Sequence, residues 1–225
     1  MDGPDYASVL ASLHAELRPN SYLEVGTQGG SSLAISQCRS LAIDPQFRID
    51  RDITGTKPAC LLFQMTSDEF FASHDPKTFL CGPIDLAFLD GMHHFEFLLR
   101  DFINVERHSG PGSSILLHDC IPTDSHVGRR DCADMSLAEH SKHADWWAGD
   151  VWKTVLILLE HRPDLEITAI ASPPTGLIRL TNLDPSSSVL SRYYNQAVES
   201  ARRVAFAPDV IARYLARLRR ADAQL

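Results

Sequence analysis

Ionisable side chains stand at the ends of apolar runs in this 225-residue chain, and their spacing suggests a chemistry. Residues 22–30 read Tyr-Leu-Glu-Val-Gly-Thr-Gln-Gly-Gly, an apolar run that carries Glu24 and breaks at Gly26, Gly29 and Gly30. A strand that ends in a glycine turn before a helix lets backbone approach a ligand closely, with free N–H groups facing it. A dinucleotide site would space its glycines G-x-G-x-x-G to seat a pyrophosphate. Here the spacing is G-x-x-G-G, and Glu24 two residues before Gly26 would repel a pyrophosphate but suits a cationic ligand bearing an ammonium. A second cluster follows the run ending at Phe88 and Leu89: Asp90, Gly91, Met92, His93 and His94, with Glu96 and Asp101 beyond. A third is Leu117, His118, Asp119 and Cys120.

If those strands are sheet neighbours, Asp90 and Asp119 converge beside the glycine turn. Two carboxylates brought together without a cation repel, and one must take up a proton. A divalent metal removes that conflict, and oxygen donors suit Mg²⁺ first, with Mn²⁺ or Ca²⁺ as other hard choices. His118 as a third ligand would tilt the choice toward a transition metal such as Zn²⁺; on the other strand face it would be a satisfied core histidine. Asp44 ends another short apolar run, Ser40 to Ile43, where a second strand would present a carboxylate to a ribose diol, and where an Asp before Pro45 also suits a turn. Residues 66–69, Thr-Ser-Asp-Glu, follow a third run and read equally as a helix cap with acids in the first turn. His126, His140 and His143 have no metal-ligand spacing.

Strand and helix patterns alternate along the chain, which predicts a mostly parallel sheet covered on both faces. Helical periodicity covers Tyr6 to Leu17, Phe95 to Glu106 and Val151 to Leu159. Ile84 to Leu89 is a near-continuous apolar strand suited to a sheet centre. Further strands are expected at Ala59 to Met65, Ser114 to Leu117 after a Gly-Pro-Gly turn, Ile167 to Ala171 and Leu177 to Leu180. Residues 119–148 break the rhythm, are rich in Asp, His and Arg, and end in Trp146-Trp147. Loops this long are usually functional or disordered, and this one emerges where open α/β sheets bind ligands. It reads as the wall or lid of an acceptor pocket, or as a surface excursion with both tryptophans packed on the core. From Ser186 to the end the chain is largely helical, interrupted at Pro208, with Val210, Ile211, Tyr214, Leu215 and Leu218 forming an amphipathic stripe. That stripe suits docking on its own domain or on a twin subunit, so a homo-oligomer is one expectation. Asp150 and Lys153 are expected to pair at a helix start.

Composition bounds the class. The chain is 44% hydrophobic and 22% charged, ordinary for one α/β domain with a full core. A net charge of −8 argues against a nucleic-acid partner. No apolar run approaches a membrane span, and residues 1–20 lack the order of a signal peptide. Five cysteines with no Cys-x-x-Cys pair suggest reduced thiols and a cytoplasmic setting.

Glu24 with the glycine turn resembles motif I of class I S-adenosylmethionine-dependent methyltransferases. Asp90-Gly91-x-His93 with Asp101, then His118-Asp119-Cys120, resembles the pattern of methyltransferase family 24, which includes metal-dependent O-methyltransferases acting on sugar and natural-product hydroxyls. Asp145-Trp146-Trp147-x-Gly149-Asp150-Val151-Trp152-Lys153 and Pro174-Thr175-Gly176-Leu177 also resemble sequences common in that group. The resemblance covers roughly residues 20–185. It implies a Rossmann-like, doubly wound, mostly parallel seven-stranded α/β sheet, as a methyltransferase domain over 1–185 with a helical extension over 186–225. It further implies S-adenosylmethionine on Glu24, Gly26, Thr27, Gly29, Ser31, Asp44, Ser67 and Asp90, a divalent metal on Asp90 and Asp119 with His118 as an added ligand, and His93 as general base for a small-molecule hydroxyl acceptor. Helix geometry would turn His94 away from that role, and capping after Asp-Gly is the other use for both histidines. Related proteins often carry a carboxylate where His118 stands. The same Asp-Gly-x-His pattern occurs in proteins resembling cephalosporin hydroxylases, so a metal-dependent hydroxylase or hydrolase, or a non-catalytic S-adenosylmethionine-binding protein, are the alternatives.

Overall fold

In a computed structural model, which describes residues 2–220, the chain forms a single sheet flanked by seven helices. Helix α1 (Tyr6–Leu17) is capped by Asp5, whose side chain accepts the Ser8 N–H, and buries Val9, Leu10 and Leu13. There follow β1 (Ser21–Val25), β2 (Arg39–Ile43), β3 (Cys60–Phe63), α2 (Ser67–Ser73), α3 (Pro76–Leu80), β4 (Ile84–Leu89), α4 (Phe95–His108) and β5 (Ser109–His118). Then come α5 (Trp152–His161), β6 (Glu166–Ile170), β7 (Leu177–Thr181), α6 (Val189–Arg202), α7 (Pro208–Arg217) and a two-residue β8 (Arg219–Arg220). The strand order is β3-β2-β1-β4-β5-β7-β6-β8, so the seven expected strands are present and β8 adds an eighth beside β6. Pairings from β3 to β5 are parallel and those of β7 antiparallel.

Period-2 alternation divides the core between the two faces of the sheet. Tyr22, Ala42, Leu86, Phe88 and Leu116 face α1, joined by Leu33 and Ile53 from the loops that flank β2. Leu23, Leu41, Ala87, Leu89, Ile115 and Leu117 face the opposite side, with Phe95, Phe102, Trp152 and Tyr214 from the helices there. The described part of the C-terminal segment docks on its own domain: Tyr194 accepts from Arg100 at 2.6 Å and donates to the Glu96 carbonyl at 3.0 Å. Tyr214 donates to the Cys120 carbonyl. The expected helical reading of residues 221–225 lies outside the described residues.

Two local expectations are corrected. No α-helix follows the glycine turn; residues 26–38 contain only a 3₁₀ turn, Leu33–Ile35. Leu33 of that turn packs into the core on the α1 face. The Gly-Pro-Gly segment does not precede β5 but bulges within it. Ser109 pairs with Ile84 and Ser114 with Leu86, and the Ser113 hydroxyl bridges the gap by donating to the Ile84 carbonyl at 2.6 Å.

Candidate active site

The carboxyl ends of β1, β2, β4 and β5 bring the predicted residues to one side of the molecule. Glu24 is fully buried on the α1 face, where Oε2 accepts the Tyr22 hydroxyl at 2.6 Å. Its Oε1 and the nearby Thr27 hydroxyl are buried with no hydrogen-bond partner among the described residues. Burial raises the Glu24 carboxyl to about 7 against the Tyr22 hydroxyl bond that favours its charge. Gly26 follows with φ +84°, and an added Cβ would lie 1.9 Å from the Asp90 carbonyl oxygen. This glycine therefore lets the end of β1 press against the end of β4, which puts the turn beside Asp90.

Asp44 fills a turn role: Oδ1 accepts the Gln46 N–H and Oδ2 the Gln28 N–H, each at 2.7 Å. It fastens the glycine loop to the end of β2. An added Cβ at Gly29 would make only ordinary contacts, the nearest with the Asp50 carboxylate at 3.8 Å, and Ser31 pairs its hydroxyl with Tyr6 at 3.2 Å. The stretch from Thr66 to Glu69 is a reciprocal capping box on α2, with Ser67 in the first helical position. Asp101, on α4 beneath Gly91, is buried with no hydrogen-bond partner for Oδ1 among the described residues, and burial raises its carboxyl to about 7.

Asp90, His93 and Asp119 offer three donor atoms within 4.8 Å of one another. His93 Nε2 is 3.4 Å from Asp90 Oδ1, and its Nδ1 is 3.4 Å from Asp119 Oδ2. His118 is not in that triad. Its Nδ1 lies 3.1 Å from Asp90 Oδ1, and the Tyr6 and Phe88 rings pack on its imidazole at 5.0 and 5.7 Å. Burial favours the neutral forms of these groups, but the opposed charges outweigh it: Asp90 is held well below the ordinary carboxylate range, and both histidines are raised. Asp119 adopts left-handed backbone, φ +60°, a conformation that costs energy in a non-glycine residue and tends to mark functional positions.

Helix α4 begins at Phe95, so His93 precedes it and His94 takes the cap position without a side-chain capping bond. Asp150 supplies the cap instead, accepting the Phe95 N–H at 3.2 Å. The expected Asp150–Lys153 pair is present at 3.4 Å. His126 is a structural residue whose Nε2 meets the Ala144 carbonyl at 2.8 Å.

A family model described as a methyltransferase domain matches residues 23–120, the span from the glycine turn through Cys120. Residues 23–120 are thus similar to a methyltransferase domain, and the sheet order and flanking helices are the Rossmann-like α/β fold of class I methyltransferases. Solved structures agree on the fold. A methyltransferase from Podospora anserina bound to SAH is 12% identical, with 79% of this chain and 78% of that one covered at a TM-score of 0.56. An O-methyltransferase from Bacillus cereus in complex with SAH is 16% identical, covering 80% and 81% at 0.53. The O-methyltransferase TomG from Streptomyces achromogenes, involved in tomaymycin synthesis and solved with SAM, is 17% identical, covering 78% of each chain at 0.52. Among curated proteins no sequence matches the chain.

Two residues of this site carry no role that the sequence alone assigns. Thr175, buried after the Pro173-Pro174 pair, donates its hydroxyl to Asp119 Oδ1, while the Ile121 N–H bonds the Thr175 carbonyl at 2.7 Å. Trp147 stacks on His93 at 5.0 Å. Both lie in segments that the resemblance singled out, Pro174-Thr175-Gly176 and Trp146-Trp147, so the signal was motif membership without a partner. What each one touches depends on chain folded far from it in sequence.

Proposed function

We propose that the protein transfers the methyl group of S-adenosylmethionine to a hydroxyl of a small molecule, such as a sugar or natural product, beside a divalent cation held by Asp90 and Asp119. The observation that carries this reading is the convergence of Asp90, His93 and Asp119 next to the glycine turn of a methyltransferase domain. The unpartnered Glu24 Oε1 and Thr27 hydroxyl are donors and acceptors waiting for a polar, cationic ligand. Two carboxylates converging at one point, with the His93 imidazole beside them, fit a divalent cation, with Mg²⁺ favoured by the oxygen donors. Bound there, such a cation would lower the pKa of an acceptor hydroxyl and offset the carboxylate charge that otherwise favours the imidazolium at His93.

The residues of the chain divide the remaining work. Glu24, Thr27 and the glycine turn bind the methyl donor, and Asp44 holds the turn in place while accepting from the ribose. His93 receives the acceptor proton at Nε2. His118 keeps Asp90 oriented from behind, as outer partners of ligating carboxylates do, and Thr175 does the same for Asp119. The segment of residues 119–148 walls the acceptor side and excludes water.

Titration calorimetry with S-adenosylmethionine, with and without Mg²⁺, tests both halves. Binding of the donor is expected in each case, and turnover, followed as S-adenosylhomocysteine release, is expected to vanish in excess chelator and return on add-back. Full activity in chelator with no bound metal rejects the cation. In Asp44→Ala the donor is expected to bind more weakly by roughly 1–3 kcal/mol, through loss of a charge-assisted bond and of the loop's anchor. Unchanged affinity in that variant removes Asp44 from the site.

A further inference from the structure

We propose that Trp147 is the positioning residue for His93, holding its imidazole in the tautomer protonated at Nδ1 so that the Nε2 lone pair faces Asp90. The inference rests on the proton-accepting role given to His93 above. It comes from the way residues 147–150 close over that histidine. The indole lies parallel to the imidazole, with ring centroids 5.0 Å apart and planes at 27°. The Trp147 carbonyl oxygen is 3.2 Å from His93 Nδ1. Gly149, at φ +67°, packs directly on the His93 main chain, where an added Cβ would lie 1.8 Å from the carbonyl oxygen. The Asp150 N–H then donates to the His93 carbonyl at 3.2 Å, and Asp150 Oδ1 caps the helix that follows. With the His93 backbone pinned on that side, the ring keeps only its own torsions, and the indole restricts those.

The partners select the tautomer. A carbonyl oxygen can only accept, so the ring nitrogen that faces it must carry the hydrogen. Asp90 and Asp119 are assigned to the cation, so the Trp147 carbonyl is what places the hydrogen on Nδ1. An unconstrained neutral histidine prefers the opposite tautomer, so the local structure must impose this one. The long segment itself is held by Arg129, whose carbonyl accepts from the Trp147 indole N–H at 2.9 Å and whose guanidinium bonds the carbonyls of His126 and Trp146. Order in this segment and readiness of the base are thereby linked.

The test is ¹⁵N NMR of the full chain labelled at histidine, recorded at alkaline pH where the rings are neutral, with His93 assigned from the signal missing in His93→Ala. The wild type and Trp147→Phe, which keeps a flat ring, are expected to show the proton on Nδ1. Trp147→Ala keeps the backbone carbonyl but frees the imidazole to turn away from it, so it is expected to move toward the Nε2-protonated form, and Trp147→Leu serves the same purpose should the alanine variant fold poorly. In parallel, kcat is expected to fall roughly tenfold or more in Trp147→Ala and to recover in Trp147→Phe, as for other outer partners of a functional histidine. Donor affinity by calorimetry stays within about twofold in each. A wild-type His93 protonated at Nε2, or an unchanged tautomer in both Trp147→Ala and Trp147→Leu, overturns the proposal. The tautomer is read without turnover, so failure of the methyl-transfer reading is seen separately, as absent donor binding or absent activity in the wild type.

Discussion

His93→Ala is expected to lose methyl transfer by a factor of roughly 10²–10⁴ in kcat, the usual cost of removing a positioned base, while S-adenosylmethionine affinity stays within about twofold. The separation follows from the sheet. His93 stands in the connection between β4 and α4, 3.4 Å from Asp90, whereas Glu24 and Asp44 end β1 and β2. His94→Ala is expected to do much less, because its ring packs on Phe97 and Trp147 and faces neither carboxylate of the triad. Steady-state rates of S-adenosylhomocysteine release over a panel of hydroxyl acceptors, with calorimetry on the same samples, measure both quantities. Metal analysis of His93→Ala adds a third reading: retained cation with lost turnover identifies a base, and lost cation identifies a ligand. Normal turnover in both histidine variants would end the base assignment.

Glu24→Gln is expected to change both stability and donor binding, with opposite dependence on pH. The folded protein holds Glu24 at about 7 against 4.5 for an ordinary glutamate, because the side chain is fully buried. A raised carboxyl binds its proton more tightly in the folded state than in the unfolded one. Stability without ligand is therefore undiminished below pH 4.5, falls as pH rises from there, and levels off above pH 7. The difference between those values corresponds to about 3 kcal/mol, and Glu24→Gln, which cannot ionise, is expected to recover much of it at pH 8. Donor binding runs the other way. A cationic donor favours the carboxylate, so wild-type affinity is expected to rise with pH toward 7 and then flatten, with a proton released on binding. In Glu24→Gln the affinity is expected to be weaker and flat across that range. Chemical denaturation and calorimetry at pH 5, 6, 7 and 8 check both trends; a wild-type affinity independent of pH removes Glu24 from contact with the charge of the donor.

The sequence by itself determined most of the scaffold. Apolar runs at Tyr22–Val25 and Ile84–Leu89 are strands because both faces of a central parallel sheet are covered, and helix α1 begins and ends where the stripe of Val9, Leu10, Leu13 and Leu17 places it. Chemistry at strand ends was legible too, since a charged residue after a buried run has nowhere to go but the rim of the sheet. Asp90, His118 and Asp119 were found that way, whereas Glu24 lies buried inside β1 and stood out by the glycine turn that follows it. The absence of a helix after the glycine turn was not legible, because local pattern does not say that Leu33 packs on the α1 face from a single 3₁₀ turn. Nor could the sequence divide the histidines. His93 lies three residues after Asp90 and His118 adjoins Asp119, and only the packing of Tyr6 and Phe88 against His118, and of Trp147 against His93, separates a residue that orients Asp90 from one that joins the triad. Thr175 on Asp119 and Asp150 on the start of α4 are contacts across more than fifty residues of chain. Spacing along a sequence carries periodicity and local turns; it carries no distance between segments that meet only when the sheet has closed.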